Sequence, residues 1–338
     1  MFLVCYVLAT SAAPATVHPP PPPINPLFEE NDYATASPHA SRVEEIPEAA
    51  IPWVQGSVVA IPRGLWVPRF VSARTLGAAP QKVPRVIYQS YDTCHVSQSL
   101  ARAVSSIIDS NPSYEYRFFD VVACAHMIRS HFDARVADAY DMLVPGSYKC
   151  DLWRICVLYL YGGVYADMRY HPLVPLDEMI GADTNLLLVD EQMQRLYVHG
   201  CFLAATPRQP IFARAIRALV RNVELRRYGR DPLDVTGPGL LGTAAIAELG
   251  IQKLPRELQM PRGGLLRSLL HSGKAHAHKD WAGRTVAHTK MLGTRDNVAF
   301  YASIGKENYS TMWYKRAIYK GDAPGPDMGE LGALLLSE

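Results

Sequence analysis

Between Lys149 and Tyr170 the sequence KCDLWRICVLYLYGGVYADMRY sets Asp151, Arg154, Asp167 and Arg169 into a segment that is otherwise apolar. An unpaired ionised side chain in an apolar interior costs several kcal/mol or changes protonation, so these four residues are expected to face partners or a polar ligand. Asp151 and Arg154 are three apart and neighbours on one helical face, while Leu152, Trp153, Ile155, Val157, Leu158 and Leu160 cover nearly the whole circumference, as in an internal helix. Two readings stay open for this pair. It is a buried ion pair that satisfies itself, or it lines a site where the carboxylate accepts hydrogen bonds from sugar hydroxyls and the guanidinium contacts polar or phosphate oxygens. The Gly162-Gly163 break, followed at once by a second acid/base pair, favours a site.

The elements that must position these residues are legible from periodicity. Arg85 to Tyr91 and Tyr114 to Phe119 read as strands, with a helix over Ser97 to Ile108 between them. Helices are predicted at about 121 to 131 and 133 to 142, then from a Ser147 cap to Tyr161, where glycine in the left-handed conformation closes the helix. Val164 to Ala166 is a buried strand that delivers Asp167 at its C-terminal end. Asn185 to Asp190 and Tyr197 to Ala205 are further strands, and a helix follows from about Pro210 to Arg226. Strands alternating with helices predict an α/β domain with a largely parallel sheet, whose ligands bind beyond the carboxyl ends of the strands.

These residues carry a resemblance. PRVIYQ at 84 to 89, NPSY at 111 to 114, DLWR at 151 to 154 and YGGVYADMR at 161 to 169 follow the order P-x-x-I-x-Q, N-P-x-Y, D-x-x-R and Y-G-G-x-Y-x-D-x-D. In this the chain resembles glycosyltransferase family 32, whose sugar-binding region contains a D-x-D motif. The likeness covers roughly residues 81 to 320, continuing more loosely through 199 to 212 and 236 to 241. It implies a GT-A fold, a nucleotide-sugar donor, a glycan or other hydroxyl acceptor, a retaining course, and manganese or another divalent cation. By the same resemblance Tyr88 and Gln89 border the nucleotide, Asp151 and Arg154 hold the donor sugar, and Asp167 is the first acid of D-x-D. The departure is Arg169 at the third position, since a guanidinium cannot coordinate a cation and repels one nearby. Arg169 then either replaces part of the metal's charge on the diphosphate, leaves a metal to Asp167, the phosphates and a downstream histidine, or marks a loss of catalysis; pointing away to a surface acid is the structural alternative.

Weaker candidates lie downstream. Thr236-Gly237-Pro238-Gly239 opens a helix to about Leu249 and is equally a helix start and a donor or acceptor loop. Asp190 and Glu191 end an apolar strand, as acceptor-side acids or as a solvated strand end. Among His276, His278 and His288, the resemblance favours His278 as the C-terminal metal ligand, although lone histidines are more often surface or satisfied groups.

The 338 residues carry 34 basic and 32 acidic side chains without a run of like charge, which argues against a nucleic-acid arm and leaves room for a local phosphate pocket. Five cysteines lie beyond the leader, an odd number, and no C-x-x-C or Cys/His cluster along the chain suggests structural zinc. Buried thiols are expected, with Cys150 and Cys156 on different helix faces and unbridged. No G-x-S-x-G elbow points to a hydrolase.

Four segments are expected. Residues 1–18 form a signal-like or truncated anchor segment, 19–80 a proline-rich spacer and irregular stem, 81–320 the catalytic domain and 321–338 a tail. The leader, the acceptor sequon at Asn308 and the family's setting favour the Golgi lumen with N-terminal membrane attachment, a cytoplasmic protein being the alternative. The two functional readings are an active transferase with a D-x-R variant and a non-catalytic sugar-nucleotide or glycan-binding protein of the same fold.

Overall fold

Both faces of one long sheet are buried, and this follows from strands that read as continuous apolar runs instead of alternating ones. The computed structural model describes residues 59–61, 64–74, 78–193, 195–290 and 307–322. The leader, the proline run, most of the stem and nearly all of the expected tail lie outside the described residues.

The strands are β1 (Val59–Ile61), β2 (Gly64–Trp66), β3 (Phe70–Val71), β4 (Val86–Ser90), β5 (His95–Val96), β6 (Glu115–Phe119) and β7 (Gly163–Ala166). They continue with β8 (His171–Pro172), β9 (Thr184–Asp190), β10 (Phe202–Ala205), β11 (Glu257–Gln259), β12 (Leu265–Ser272), β13 (Ala277–Lys279) and β14 (Thr285–His288). The helices are α1 (Gln98–Asp109), α2 (Val121–His131), α3 (Ala134–Met142), α4 (Gly146–Tyr161), α5 (Leu176–Ile180), α6 (Pro210–Glu224), α7 (Pro238–Leu249) and α8 (Tyr309–Tyr314).

The main sheet runs β3-β6-β4-β7-β10-β9-β12-β13-β14-β8, with β11 paired to β12. Pairings β4 with β6, β4 with β7 and β9 with β12 are parallel, and β10 lies antiparallel between β7 and β9. Strands β6, β4, β7, β9 and β12 therefore share one direction, with β10 reversed among them, and their C-terminal ends meet along one edge of the sheet. That edge carries Asp167 after β7 and Asp190 at the end of β9. Antiparallel β13, β14 and β8 extend the far side.

Side chains alternate between two cores. Tyr88, Tyr165, Leu186, Leu188 and Leu203 pack with residues of α2, α3, α4, α6 and α7. Ile87, Val164, Leu187, Val189 and Phe202 pack with α1 and α5 on the other face. The result is the expected α/β layering, helices over both faces of the sheet.

Local chemistry sets the ends of the elements. Ser97, Asp120 and Asp133 cap α1, α2 and α3 through their side-chain oxygens. Ser147 does not cap α4: the helix begins at Gly146 after Pro145, and no side chain caps it. At its other end Gly162 has φ +65° but ψ −160°, so the chain turns into β7 without a left-handed helical cap. A Cβ there would lie 2.7 Å from the Ala205 carbonyl oxygen, and at Gly163 2.8 Å from that of Val86, so close backbone approach demands both glycines.

Two expectations change. The strand foreseen from Tyr197 begins only at Phe202; Val198 forms a single bridge to Asp190, and the chain bends at Gly200, where Arg154 reaches its carbonyl. The stem is not wholly irregular, because β1 and β2 form a small sheet with β5, and β3 pairs with β6 at the edge of the main sheet. Such short edge strands tolerate neighbouring prolines. The cysteines described are all free. Among the described residues no helix is long and apolar enough to cross a membrane.

Candidate functional site

The site is built on a buried guanidinium. α4 carries Asp151 and Arg154 on one face, and Arg154 Nη2 lies 2.6 Å from Asp151 Oδ1. Its Nη1 donates to the Gly200 carbonyl and stands 3.9 Å from Asp167 Oδ1, and its charged end lies 4.6 Å above the Tyr165 ring. A Cβ at Gly200 would sit 2.7 Å from Nη1, so the residue there must be small. Arg154 thus joins α4, the end of β7 and the loop before β10.

Asp151 is equally engaged. Its Oδ2 accepts a 2.6 Å hydrogen bond from Thr236 Oγ1, and Gly237 packs against the same carboxylate. Burial pushes the Asp151 carboxyl up, against the pull of Arg154 and the Thr236 hydroxyl. Thr236 and Gly237 therefore adjoin Asp151, both of whose oxygens are taken up by protein.

Asp167 follows β7 and is more open, its side chain 39% exposed. Tyr165 Oη donates to its Oδ1 at 2.5 Å. Gln89, 0% exposed, donates from Nε2 to the Asp167 main-chain oxygen at 3.0 Å and accepts from Tyr116 Oη at 3.0 Å. Gln89 thus fixes, from a fully buried position, the backbone that presents Asp167. Tyr88 points into the core against Phe119, where burial raises its phenol pKa. The sequence pattern marked both positions; they point to opposite faces of β4, and both faces are covered, so both are buried.

Arg169 is half-buried and has no ion pair among the described residues. Its charge is felt by Lys290, His276 and Cys201. Burial, then the Arg169 charge, lower the Lys290 pKa. Arg169, two residues after Asp167, and Lys290, which feels its charge, thus have no carboxylate partner among the described residues. A divalent ion of the D-x-D type does not fit here. One carboxylate is available, it already receives the Tyr165 hydroxyl near Arg154, and the second acid is a guanidinium.

Asp190 ends β9 with Oδ1 accepting from the Gln192 amide at 2.7 Å. Its neighbour Glu191 is the more unusual acid. Glu191 Oε2 is buried without a hydrogen-bond partner, and burial, then the Asp190 charge, push the carboxyl up to about 7.

His278 is brought together with His199 and His271, not with Asp167: one ring atom of each histidine lies within 4.8 Å of the others'. Burial pushes His199 down to about 3 and His278 well below its ordinary value. His199 and His271 escaped the sequence reading. The signal for His271 was the S-G-K turn after it, which pairs it with His278 across a hairpin; His199 carried none. His276 and His288 are not in this group.

All four residues of the opening segment fall inside a recognised stretch. The family described as "Glycosyltransferase sugar-binding region containing DXD motif" matches residues 97–187. This part of the chain is similar to a glycosyltransferase sugar-binding region. The chain is similar to mannosyl phosphorylinositol ceramide synthase of Saccharomyces cerevisiae, 24% identical over 56% of this chain and 47% of that protein. It is also similar to the initiation-specific alpha-1,6-mannosyltransferase of Schizosaccharomyces pombe, 24% identical over 43% of this chain and 44% of that protein. The chain spans about half the length of these curated relatives. Among solved structures, PaToxG glycosyltransferase aligns with 51% of this chain and 72% of its own at 16% identity and a TM-score of 0.40. The matched residues hold α4, β7 and Asp151, Arg154, Asp167 and Arg169, while Gln89, Gly200 and Thr236 lie outside them.

Proposed function

We propose that the chain is a nucleotide-sugar-dependent hexosyltransferase that moves a sugar, with retention, from a nucleoside diphosphate donor to a glycan or glycolipid hydroxyl. The observation that carries this reading is Arg154 of the matched region, which gathers Asp151 and Asp167 from that region and Gly200 from beyond it into one floor. Mannose is the first sugar to test, because the curated relatives are named for mannose transfer.

The chemistry asks for positive charge where the glycosidic bond breaks and negative charge gathers on the diphosphate. Arg169 would do that work, supported by its having no carboxylate partner among the described residues, with the Lys290 charge within its reach. Asp167, the most open acid, contacts the donor. Asp151 and Arg154 are positioning residues: their polar atoms are spent on one another, on Thr236 and on Gly200, and they hold Asp167 and the loop before β10 in register. A fixed guanidinium in a cleft poor in water needs little reorganisation as charge develops, which is why it can replace a hard cation in this role.

The second reading, a non-catalytic sugar-nucleotide or glycan-binding protein, draws on the same Arg169. The setting that goes with the transferase is the secretory lumen with N-terminal attachment, as for a glycan-building enzyme. A screen of guanosine and uridine diphosphate sugars for nucleotide release decides between enzyme and binder. Release from one donor, reduced at least about 100-fold in Asp167→Asn, is expected. Donor binding without turnover under any condition selects the binder, and equal turnover in wild type and Asp167→Asn removes Asp167 from its role.

A further inference from the structure

On the sheet face that carries Tyr170, Phe202 and Leu269, the face α1 also covers, three imidazoles converge from separate parts of the chain. His271 in β12 and His278 in β13 are direct antiparallel partners, so their side chains share a face. His199 comes from the loop before β10, its backbone amide bonded to the Val189 carbonyl at 2.8 Å, and its ring stacks on His271 with centroids 3.9 Å apart. His199 Nδ1 lies 2.9 Å from His278 Nε2. Cys201 Sγ is 3.2 Å from the first and 3.6 Å from the second.

Three features distinguish this group from histidines that merely fill a core. His278 is 0% exposed, and its other nitrogen, Nδ1, meets Tyr170 Oη at 3.1 Å. That contact is the outer hydrogen bond which orients a ligating imidazole and leaves Nε2 facing inward. His271 is 7% exposed, yet its Nδ1 is buried without any hydrogen-bond partner, an expense that a bound ligand would explain. Finally, the donor atoms are nitrogen and sulfur throughout, while Asp167 is not in the group.

We infer that His199, His271 and His278 bind one transition metal ion of borderline softness, of the zinc or cobalt class, with Cys201 as the fourth ligand. A tetrahedral ion with metal–nitrogen bonds of ~2.0–2.1 Å sets its donors about 3.4 Å apart. The 2.9 Å His199–His278 contact and the 3.2 and 3.6 Å sulfur contacts bracket that spacing, and the span of up to 4.8 Å in the imidazole group closes by small rotations of the rings. Imidazole and thiolate select such ions over magnesium and manganese, which take oxygen ligands. The ion clamps the β12–β13 hairpin to the loop that presents Gly200 to Arg154. It stands one hydrogen bond from the strand end that carries Asp167, because the Asp167 amide donates to the Cys201 carbonyl at 2.8 Å. The inference does not rest on the transferase reading, since it concerns the protein without donor.

The test uses the full chain with any affinity tag removed, stripped by chelator and titrated with cobalt. Saturable one-to-one binding with tetrahedral d–d bands and a sulfur-to-cobalt charge-transfer band is expected, displaced by zinc and untouched by magnesium or manganese. His199→Ala, in a loop, and His271→Ala should each weaken cobalt binding about 100-fold or more, while circular dichroism reports whether either still folds. Cys201→Ser should abolish the charge-transfer band. Binding that is absent from wild type, or that survives unchanged in both histidine variants, overturns the site. Binding without a charge-transfer band removes Cys201 from it.

Discussion

Gln89 Nε2 donates to the main-chain oxygen of Asp167 at 3.0 Å, across the parallel pairing of β4 with β7. A fully buried side chain thereby decides where the most open acid of the site stands. Gln89→Leu leaves the Tyr116 hydroxyl and the Asp167 carbonyl without partners, at about 1–3 kcal/mol for each group orphaned. Urea unfolding should show a loss of that order, and turnover should fall further than binding as Asp167 moves. Wild-type stability in Gln89→Leu would mean that the two groups find other partners.

Breaking the Asp151–Arg154 pair should be severe. Asp151→Ala leaves the Arg154 charge buried, which typically costs about 3–5 kcal/mol. The midpoint of denaturant unfolding is the measure. Thr236→Val removes only one hydrogen bond to the same carboxylate and should cost about 1–2 kcal/mol.

Arg169 predicts the opposite balance. It has no ion-pair partner among the described residues, so Arg169→Ala should leave the melting temperature nearly unchanged and weaken nucleoside diphosphate binding about 10-fold or more. Arg169→Asp restores the second acid of D-x-D and should make donor binding respond to added manganese, which the wild type should not. Calorimetry with and without the ion reads both effects.

Glu191 sets a pH dependence. Its carboxyl is pushed up from 4.5 to about 7, so the folded chain holds this proton more tightly than the unfolded chain does. The stabilisation is complete below about pH 4.5 and is lost as pH rises through 7. Glu191→Gln should flatten the stability profile across that interval by no more than ~3 kcal/mol. Unfolding curves at both ends of the interval measure it, and an unchanged slope would assign the effect elsewhere.

Gly200→Ala tests the floor itself. The new methyl must displace Arg154 Nη1, 2.7 Å from the ideal Cβ, and Arg154 cannot yield without loosening Asp151. Transfer should drop at least about 10-fold while far-ultraviolet circular dichroism stays unchanged.

By itself the sequence determined the local structure around the site. Apolar periodicity placed α1 to α4, β4, β6 and β7, and two acid/base pairs on either side of Gly162-Gly163 marked where chemistry gathers, because charge in an apolar segment must be compensated. Ser147 failed as a cap because Pro145 already starts the helix, a choice between neighbours that composition does not resolve. Tyr88 and Gln89 lie in the right strand, but which way a strand's side chains face depends on what covers each side of the sheet. Only the tertiary structure decided that Arg154 reaches Gly200, 46 residues on, that Gln89 holds Asp167, and that His199 meets His271 and His278. These contacts span distant parts of the chain, and no local spacing encodes them; the order and direction of the strands do.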